Sequence, residues 1–411
     1  MRSRPWTGSK RQTQAKHQAF RNASFGPSVA EGPEMEKGDF IMENALNLDT
    51  VLLAENKKDL IILDQTLLPN ECKYLTMNRA EDIWEAIYSL RVRGAPAIGV
   101  AGGYGYYVLA DQVETEDMDT FVAECTKIME YLNSSRPTAV NLSWALNRMH
   151  GVLLAEKDGK TVAEMKVRLM QEADAIREED IQISRNIGAY GFELLEKLGK
   201  GVGVMTHCNA GTLATAKYGT ALAPIYIALE NGWDGKQDLH VYCDETRPLL
   251  QGARLSAYEM QAAGVDTYVQ CDNMASYTMK SGKIGIIFVG CDRVAANGDF
   301  ANKIGTSGVA IIAKHYGIPF YVCAPSSTID MTMESGDEIR IEQRKPEEVT
   351  EMWYAQRMAP EGVGVVNPAF DVTDHSLVTG IITEKGIATA PFKESFERMG
   401  IKPVEKFVDK K

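Results

Sequence analysis

Apolar residues recur along this chain in two rhythms, and the rhythm changes near its midpoint. Between about Arg79 and Leu198 they return every three or four positions, as they do on a helix with one buried face. The pattern predicts helices from about Arg79 to Val113, interrupted at RGAPAIG by Pro96 and its flanking glycines, and from Met118 to Leu132. A further helix is expected around Ser143 to Leu154, after SRPTAVNL, and one or two long, charged, amphipathic helices over Thr161 to Leu198. Ahead of them, within Asp59 to Asn70, LIILDQTLLPN reads as a strand and a turn.

From Val202 onward the apolar residues come as short unbroken runs: VGVMTH, LHVYCDE, DTYVQC, KIGIIFVGCD and PFYVCAP. Helical stretches separate them, namely TLATAKYGTALAPIYIAL, LLQGARLSAYEMQAAG, the shorter NMASYTMKSG, and ANKIGTSGVAIIAKHYG. Strands apolar on both faces, alternating with helices, indicate a parallel sheet covered on both sides. The expected class is α/β: a mainly helical N-terminal domain with a small sheet over 39–185, then a doubly wound parallel-sheet domain over 186–405. Residues 1–38 read as a disordered basic tail, because Arg2, Arg4, Lys10, Arg11, Lys16 and Arg21 occur with no acidic residue in the first 30 and no hydrophobic periodicity.

Charge and cysteine content narrow the classes of function. A formal net charge of -12 and a pI near 5.2 argue against nucleic acid or an anionic membrane as partner. A phosphorylated ligand would need a local cationic pocket working against that field. The seven cysteines are widely spaced with no C-x-x-C pair, which fits a reducing cytoplasm better than a disulfide framework or a structural zinc site. No apolar run approaches the roughly 20 residues that span a bilayer.

Polar residues gather where a doubly wound sheet places its site, just past the strands. They are Thr206, His207, Cys208, Asn209 and Gly211; Asp244, Glu245, Thr246, Arg247 and Gln251; Asp272 and Asn273; Asp292, Arg293, Asn297, Asp299, Asn302 and Lys303; and Ser326, Ser327, Thr328 and Asp330. Each also has a structural reading. Cys208 could be a small buried hydrophobe, Asp292 the ion-pair partner of Arg293, and Asp244, Asp272 and Asp299 helix caps or loop braces. His207 reads as a hydrogen-bonding residue, since no second ligand stands at metal spacing. GVAGGYGYY fits neither a dinucleotide fingerprint nor a Walker loop, so no cofactor is expected. Arg93 and Arg136 sit in Gly/Pro-rich turns and, with Lys303, would make a phosphate clamp.

These residues lie in eight collinear blocks: VRGAPAIGVAGGYG, SRPTAVNLSWALNRM, THCNAGTLATAKYGTALAPI, DETRPLLQGARLSAYE, DNMA, GCDRVAANGDFANKIGT, APSSTID and NPAFDVT…IITEKG. Together they resemble the 5-methylthioribose-1-phosphate isomerase family, over about Asp59 to Gly386. The resemblance implies a smaller N-terminal domain, a Rossmann-like C-terminal domain, a homodimer, and kinship with regulatory subunits of a translation-initiation exchange factor. It implies an aldose–ketose isomerisation of methylthioribose 1-phosphate in methionine salvage. By motif position it makes Cys208 and Asp292 the catalytic pair. Substrate contacts fall on Arg93, Gly94, Ala95, Arg136, Gln251, Asn302 and Lys303, with no metal and no cofactor. Three positions depart from the family: Cys291 where Ala is common, Ser307 where Tyr is frequent, and Ser143 where a larger residue is usual.

An aldose 1-phosphate is a ring acetal, so its ring oxygen must be protonated before carbon 1 can accept hydrogen from carbon 2. Asp292 is expected to be that acid, its pKa raised by desolvation. Cys208 is either a thiolate base, favoured by a helix N-terminus expected after Gly211, or a neutral thiol beside a hydride shift. The alternative substrates are 5-deoxyribose 1-phosphate and ribose 1,5-bisphosphate; the alternative class is a non-catalytic regulatory subunit on the same fold.

Overall fold

The computed structural model describes residues 48–137 and 139–402, and the basic tail expected over 1–38 lies outside them. The chain opens with a small antiparallel sheet of β1 (Val51–Leu53), β2 (Leu60–Leu63) and β3 (Tyr74–Met77). Helices α1 (Ala80–Tyr88), α2 (Ala95–Asp111), α3 (Met118–Ser134) and α4 (Val140–Glu156) follow. The break expected across RGAPAIG is narrower than the motif. The helix resumes at Ala95 because Pro96 sits in its first turn, where a missing N–H costs nothing.

Helix α5 (Val162–Leu198) is one uninterrupted helix of 37 residues. A capping box starts it: the Thr161 hydroxyl accepts from the Glu164 N–H at 3.2 Å, and the Glu164 carboxylate accepts from the Thr161 N–H at 2.8 Å. Met165, Leu169 and Ile176 enter an apolar core built with α1–α4, whereas Ile187, Phe192 and Leu195 enter a second core built with the large sheet.

That sheet has seven strands in the order β14-β13-β10-β7-β4-β5-β6. Strands β4 (Val202–His207), β5 (Leu239–Asp244), β6 (Asp266–Gln270), β7 (Ile286–Val289), β10 (Phe320–Cys323) and β13 (Gly380–Thr383) run parallel, and β14 (Gly386–Ala388) closes one edge antiparallel. All residues of β4 and β7 are buried, as their unbroken apolar runs require. The connecting helices are α6 (Ala223–Glu230), α7 (Ala257–Ala262) after a wide helical turn at Gly252–Ser256, α8 (Ala275–Lys280), α9 (Thr306–Tyr316), α10 (Glu347–Thr350) and α11 (Phe392–Arg398). A second sheet, β11 (Ile329–Asp330), β8 (Arg293–Ala295), β9 (Phe300–Lys303) and β12 (Phe370–Thr373), lies beyond the end of β7.

Strand order reverses between β4 and β7: the chain moves outward from β4 to β5 and β6, then returns to lay β7 on its other side. Such a switch point opens a crevice at the C-terminal ends of the two strands. Two stretches differ from expectation. After a single tight turn at Thr212–Ala214, TLATAKYGTALAPIYIAL forms an α-helix only from Ala223, because side chains capture the backbone before it. Asp180 accepts from the Ala216 N–H at 2.6 Å and the Thr215 hydroxyl from the Gly219 N–H at 3.0 Å. Asn302 and Lys303, read as the start of a helix, lie instead on β9. No helix among the described residues is long and apolar enough to cross a membrane.

Candidate active site

The crevice is built from strained strand ends. Cys208, the first residue after β4, has φ 66°, a left-handed conformation costing a non-glycine residue about 1–2 kcal/mol. Two bonds hold it there. Its N–H donates to the Thr246 hydroxyl at 2.8 Å, and its carbonyl accepts from the Ser256 hydroxyl at 2.7 Å. Thr246, just past β5, is itself left-handed at φ 64° and is fixed by Asp272, whose two oxygens accept from the N–H groups of Thr246 and Arg247, each at 2.7 Å. Two left-handed non-glycine residues are thus held by their neighbours at the mouth of the crevice.

His207 and Asp244 lie fully buried beneath this layer. His207 Nε2 faces the Ile304 carbonyl at 2.8 Å, so it carries a proton, and Nδ1 meets Asp244 Oδ2 at 3.1 Å. The other Asp244 oxygen accepts from Gln270 Nε2 at 2.8 Å. Asp272 Oδ1 stands 4.0 Å from the His207 ring, close enough for the three to hold a cation, yet each is already engaged in bracing the loops. Asp299 likewise braces, accepting from Gly336, Asn297 and His375.

Asp292 follows β7. The residue is exposed, though protein groups crowd its carboxyl. Burial raises its pKa, and Lys303, Arg93, Arg136 and Arg293 pull the other way. Arg293 is turned towards Asp330, its Nη1 3.9 Å away, and Asp292 has no ion-pair partner among the described residues. Cys208 is 7% exposed; burial raises its pKa above 9.0 against the pull of Lys303 and Arg93. The helix expected after Gly211 is only a tight turn, Thr212–Ala214, so no helix dipole is available to lower it.

Cations ring the pair. Arg93 donates from Nη1 to the Asn209 side-chain oxygen at 2.5 Å and from Nη2 to the Asn209 carbonyl at 3.1 Å. Gly94 has φ 89°, and a Cβ there would meet the Ala214 carbonyl oxygen at 2.3 Å, so only glycine fits. Ala95 opens α2, whose first N–H groups have no side-chain cap and are free to meet an anion. Arg136, past the end of α3, has no hydrogen bond or ion pair for its guanidinium among the described residues. Burial lowers its pKa, with Glu342 opposing and Arg344 adding to the effect. The Lys303 ammonium lies 4.3 Å from the centre of the Phe370 ring. Through-space coupling links Asp292 to Arg93, Arg136 and Lys303, and Cys208 to Asp292, Arg93 and Lys303. Asn302 beside Lys303 donates to the Thr306 hydroxyl at 3.0 Å. Gln251 is 8% exposed, and its side-chain oxygen is buried with no partner.

Three contributors escaped sequence reasoning. Glu259 of α7 underlies the Cys208 loop. Arg254 donates to the carbonyls of Gln65, Thr66 and Leu68 at 3.2, 3.2 and 2.9 Å, tying the first core's rim to the second. Trp353 covers Arg254, ring centre to guanidinium 4.6 Å. An Arg and a Trp nearly 100 positions apart carry no local signal of contact. Of the departures from the family pattern, the Cys291 thiol meets the Thr328 hydroxyl at 3.4 Å and is pushed up to about 12 by burial. The Ser307 N–H donates to Asp371 at 3.2 Å, and the Ser143 hydroxyl donates to Asn133 at 2.7 Å on the helical side.

Residues 91–390 match the Initiation factor 2 subunit family. A methylthioribose-1-phosphate isomerase from Symbiobacterium thermophilum is 58% identical over 352 residues, covering 86% of this chain and 96% of that protein. A 5-deoxyribose 1-phosphate isomerase from Petrotoga mobilis is 53% identical over 349 residues, covering 85% and 98%. The crystal structure of 5-methylthioribose 1-phosphate isomerase from Pyrococcus horikoshii OT3 superposes with a TM-score of 0.81 at 40% identity, covering 91% of this chain and 99% of that one.

Proposed function

This chain belongs to the Initiation factor 2 subunit family, and we propose that within it the protein is an aldose–ketose isomerase converting 5-methylthioribose 1-phosphate to 5-methylthioribulose 1-phosphate, a step of methionine salvage. The observation that carries the reading is the meeting, at the sheet's switch point, of Cys208 and Asp292 with three cationic side chains, of which Arg136 and Lys303 have no anion bound to them among the described residues.

Arg93, Arg136, Lys303 and the open start of α2 at Gly94 and Ala95 hold the phosphate. The orphaned oxygen of Gln251 accepts from a sugar hydroxyl, which relieves the cost of its desolvation; Asn302 lies beside it in role. Protonated Asp292 gives its proton to the ring oxygen as the bond to carbon 1 breaks. Hydrogen then moves with its electron pair from carbon 2 to carbon 1, and the 2-hydroxyl returns a proton to the Asp292 carboxylate as the ketone forms. Cys208, kept neutral by burial, borders that transfer as an apolar, polarisable wall rather than as a base. The mechanism needs no metal and no cofactor.

The second reading, 5-deoxyribose 1-phosphate as substrate, is favoured by relatives of that name at 51–53% identity. Ribose 1,5-bisphosphate would need a further cationic site, and Arg254, beside Arg93, is already committed to three carbonyls. Comparing kcat/KM on the three sugars tests the reading. A clear preference for methylthioribose 1-phosphate supports it, and a preference for either rival overturns the substrate while leaving the reaction class.

The protein is further expected to work as a cytoplasmic homodimer, with its two-domain division near residues 185 and 186. Its dimer is supported by the open edge of β6, where Tyr268 is 46% and Val269 52% exposed beside Tyr277 at 79%; an apolar edge strand left bare is an aggregation hazard. Sedimentation velocity at micromolar protein reads the state directly. The cytoplasm is supported by free thiols at all seven cysteines.

A further inference from the structure

We propose that Glu259 is a positioning residue for phosphate capture, setting the angle of Arg93 through the side-chain amide of Asn209. The inference rests on the reading of Arg93 as a phosphate ligand. Glu259 has no exposed surface, and its carboxylate receives three donors: Asn209 Nδ2 on Oε1 at 2.5 Å, and the Thr212 N–H and the Tyr226 hydroxyl on Oε2 at 2.7 and 2.8 Å. Gly211 makes room for it, since a Cβ there would lie 2.1 Å from Oε2.

Asn209 and Thr212 can only donate here and the Tyr226 hydroxyl also donates, so all three contacts suit an ionised carboxylate. Burial pushes its pKa up to about 7 against Tyr226, Asn209, Thr212 and Arg93. A buried charge is costly, and a loop brace would hold as well with a neutral acceptor. What the anion adds is direction. By taking the Asn209 NH2 group, which also donates to the Ser256 hydroxyl at 3.1 Å, it helps turn the Asn209 oxygen outward, where that oxygen and the Asn209 carbonyl together accept from both terminal nitrogens of Arg93. Arg93 stands at the end of the helical core and Asn209 at the end of β4, so the relay aligns a cation from one core with a nucleus of the site in the other.

The carboxamide of E259Q has one oxygen and one NH2. Facing the Thr212 N–H, the NH2 would set donor against donor; it therefore turns to Asn209, whose amide must invert and point its own NH2 at Arg93. E259Q at pH 8 should keep a near-native melting temperature. It should raise KM and the dissociation constant of inorganic phosphate about ten- to hundredfold, with a smaller change in kcat. Adding N209D supplies an acceptor to both neighbours, so E259Q/N209D should recover most of the phosphate affinity. Unchanged phosphate binding by folded E259Q overturns the inference, as does lost binding that N209D fails to recover, including the case in which E259Q alone is unstable. Wild-type protein that binds phosphate, weakens on E259Q, and yet turns over no aldose 1-phosphate would sink the isomerase reading and leave the relay standing.

Discussion

Asp292 and Cys208 share one crevice and the same cations, yet burial acts on them to different ends. For Asp292 a raised pKa keeps available the proton its role requires; for Cys208 it suppresses the thiolate. Replacing Asp292 by Asn should lower kcat by about 10³ or more while substrate binding, measured by calorimetry, survives. Because the acid form is the active one, kcat/KM in the wild type should fall as pH rises through the raised value of Asp292. A rise with pH over that range would instead point to a base. Turnover in heavy water should leave carbon 1 of the product free of deuterium, and deuterium there would restore Cys208 as a proton-transferring thiolate. Both residues were legible as candidates because they follow unbroken apolar strands, and the family motifs assigned them. Glu259 was not legible. A glutamate in AYEMQAAG reads as the solvated face of a helix, and only the return of β4 beneath it shows that the face is covered.

At the level of elements, the short apolar runs of β4 and β7 are legible because strands buried on both faces show no alternation, whereas the run of β6 lies on an open edge with Tyr268 and Val269 exposed. β8, β9, β11 and β12 span two to four residues each and show no periodicity to detect, which is why Asn302 and Lys303 were placed on the wrong element. The loop over 212–222 has helical composition but side-chain competitors for its backbone, and those lie elsewhere in the chain. The start of α2 is the element end most exposed to test. Gly94→Ala must relieve a 2.3 Å contact with the Ala214 carbonyl from an unfavourable φ, so the turn carrying Ala214 must move away from the start of α2. We expect a loss of about 2 kcal/mol or more in chemical denaturation, together with a raised KM. Wild-type stability with wild-type KM would show that the phosphate end of α2 does not depend on that contact.

For the molecule as a whole, buried ionisable groups set a sign for stability against pH. His207, where Asp244, Asp272 and the Ile304 carbonyl outweigh burial, is raised from 6.5; burial raises Asp244 and Asp371 from 3.8 and Glu259 to about 7. The His207 contribution is complete below 6.5 and is lost as pH rises through its folded value. The raised carboxyls hold protons in the folded chain that the unfolded chain has released, so folding takes up protons across this window and stability falls as pH rises. Glu172 and Glu348, where burial is outweighed by arginine partners, act oppositely and only in acid, as pH falls through their lowered values. The melting temperature should therefore be higher at pH 6 than at pH 8, by at least about 2 °C in calorimetry; the reverse order would mean that these acids ionise without cost. The arrangement of one helical core and one sheet core was legible in the two rhythms, but the rod joining them was read as one helix or two. With 37 residues it is about 55 Å long, so a bend of about 2° between its ends moves one core against the other by about 2 Å. The spacing between the arginines of the first core and the acid and thiol of the second is thus held like the jaws of a caliper. A kink placed in α5, far from any substrate atom, would throw the instrument out of true.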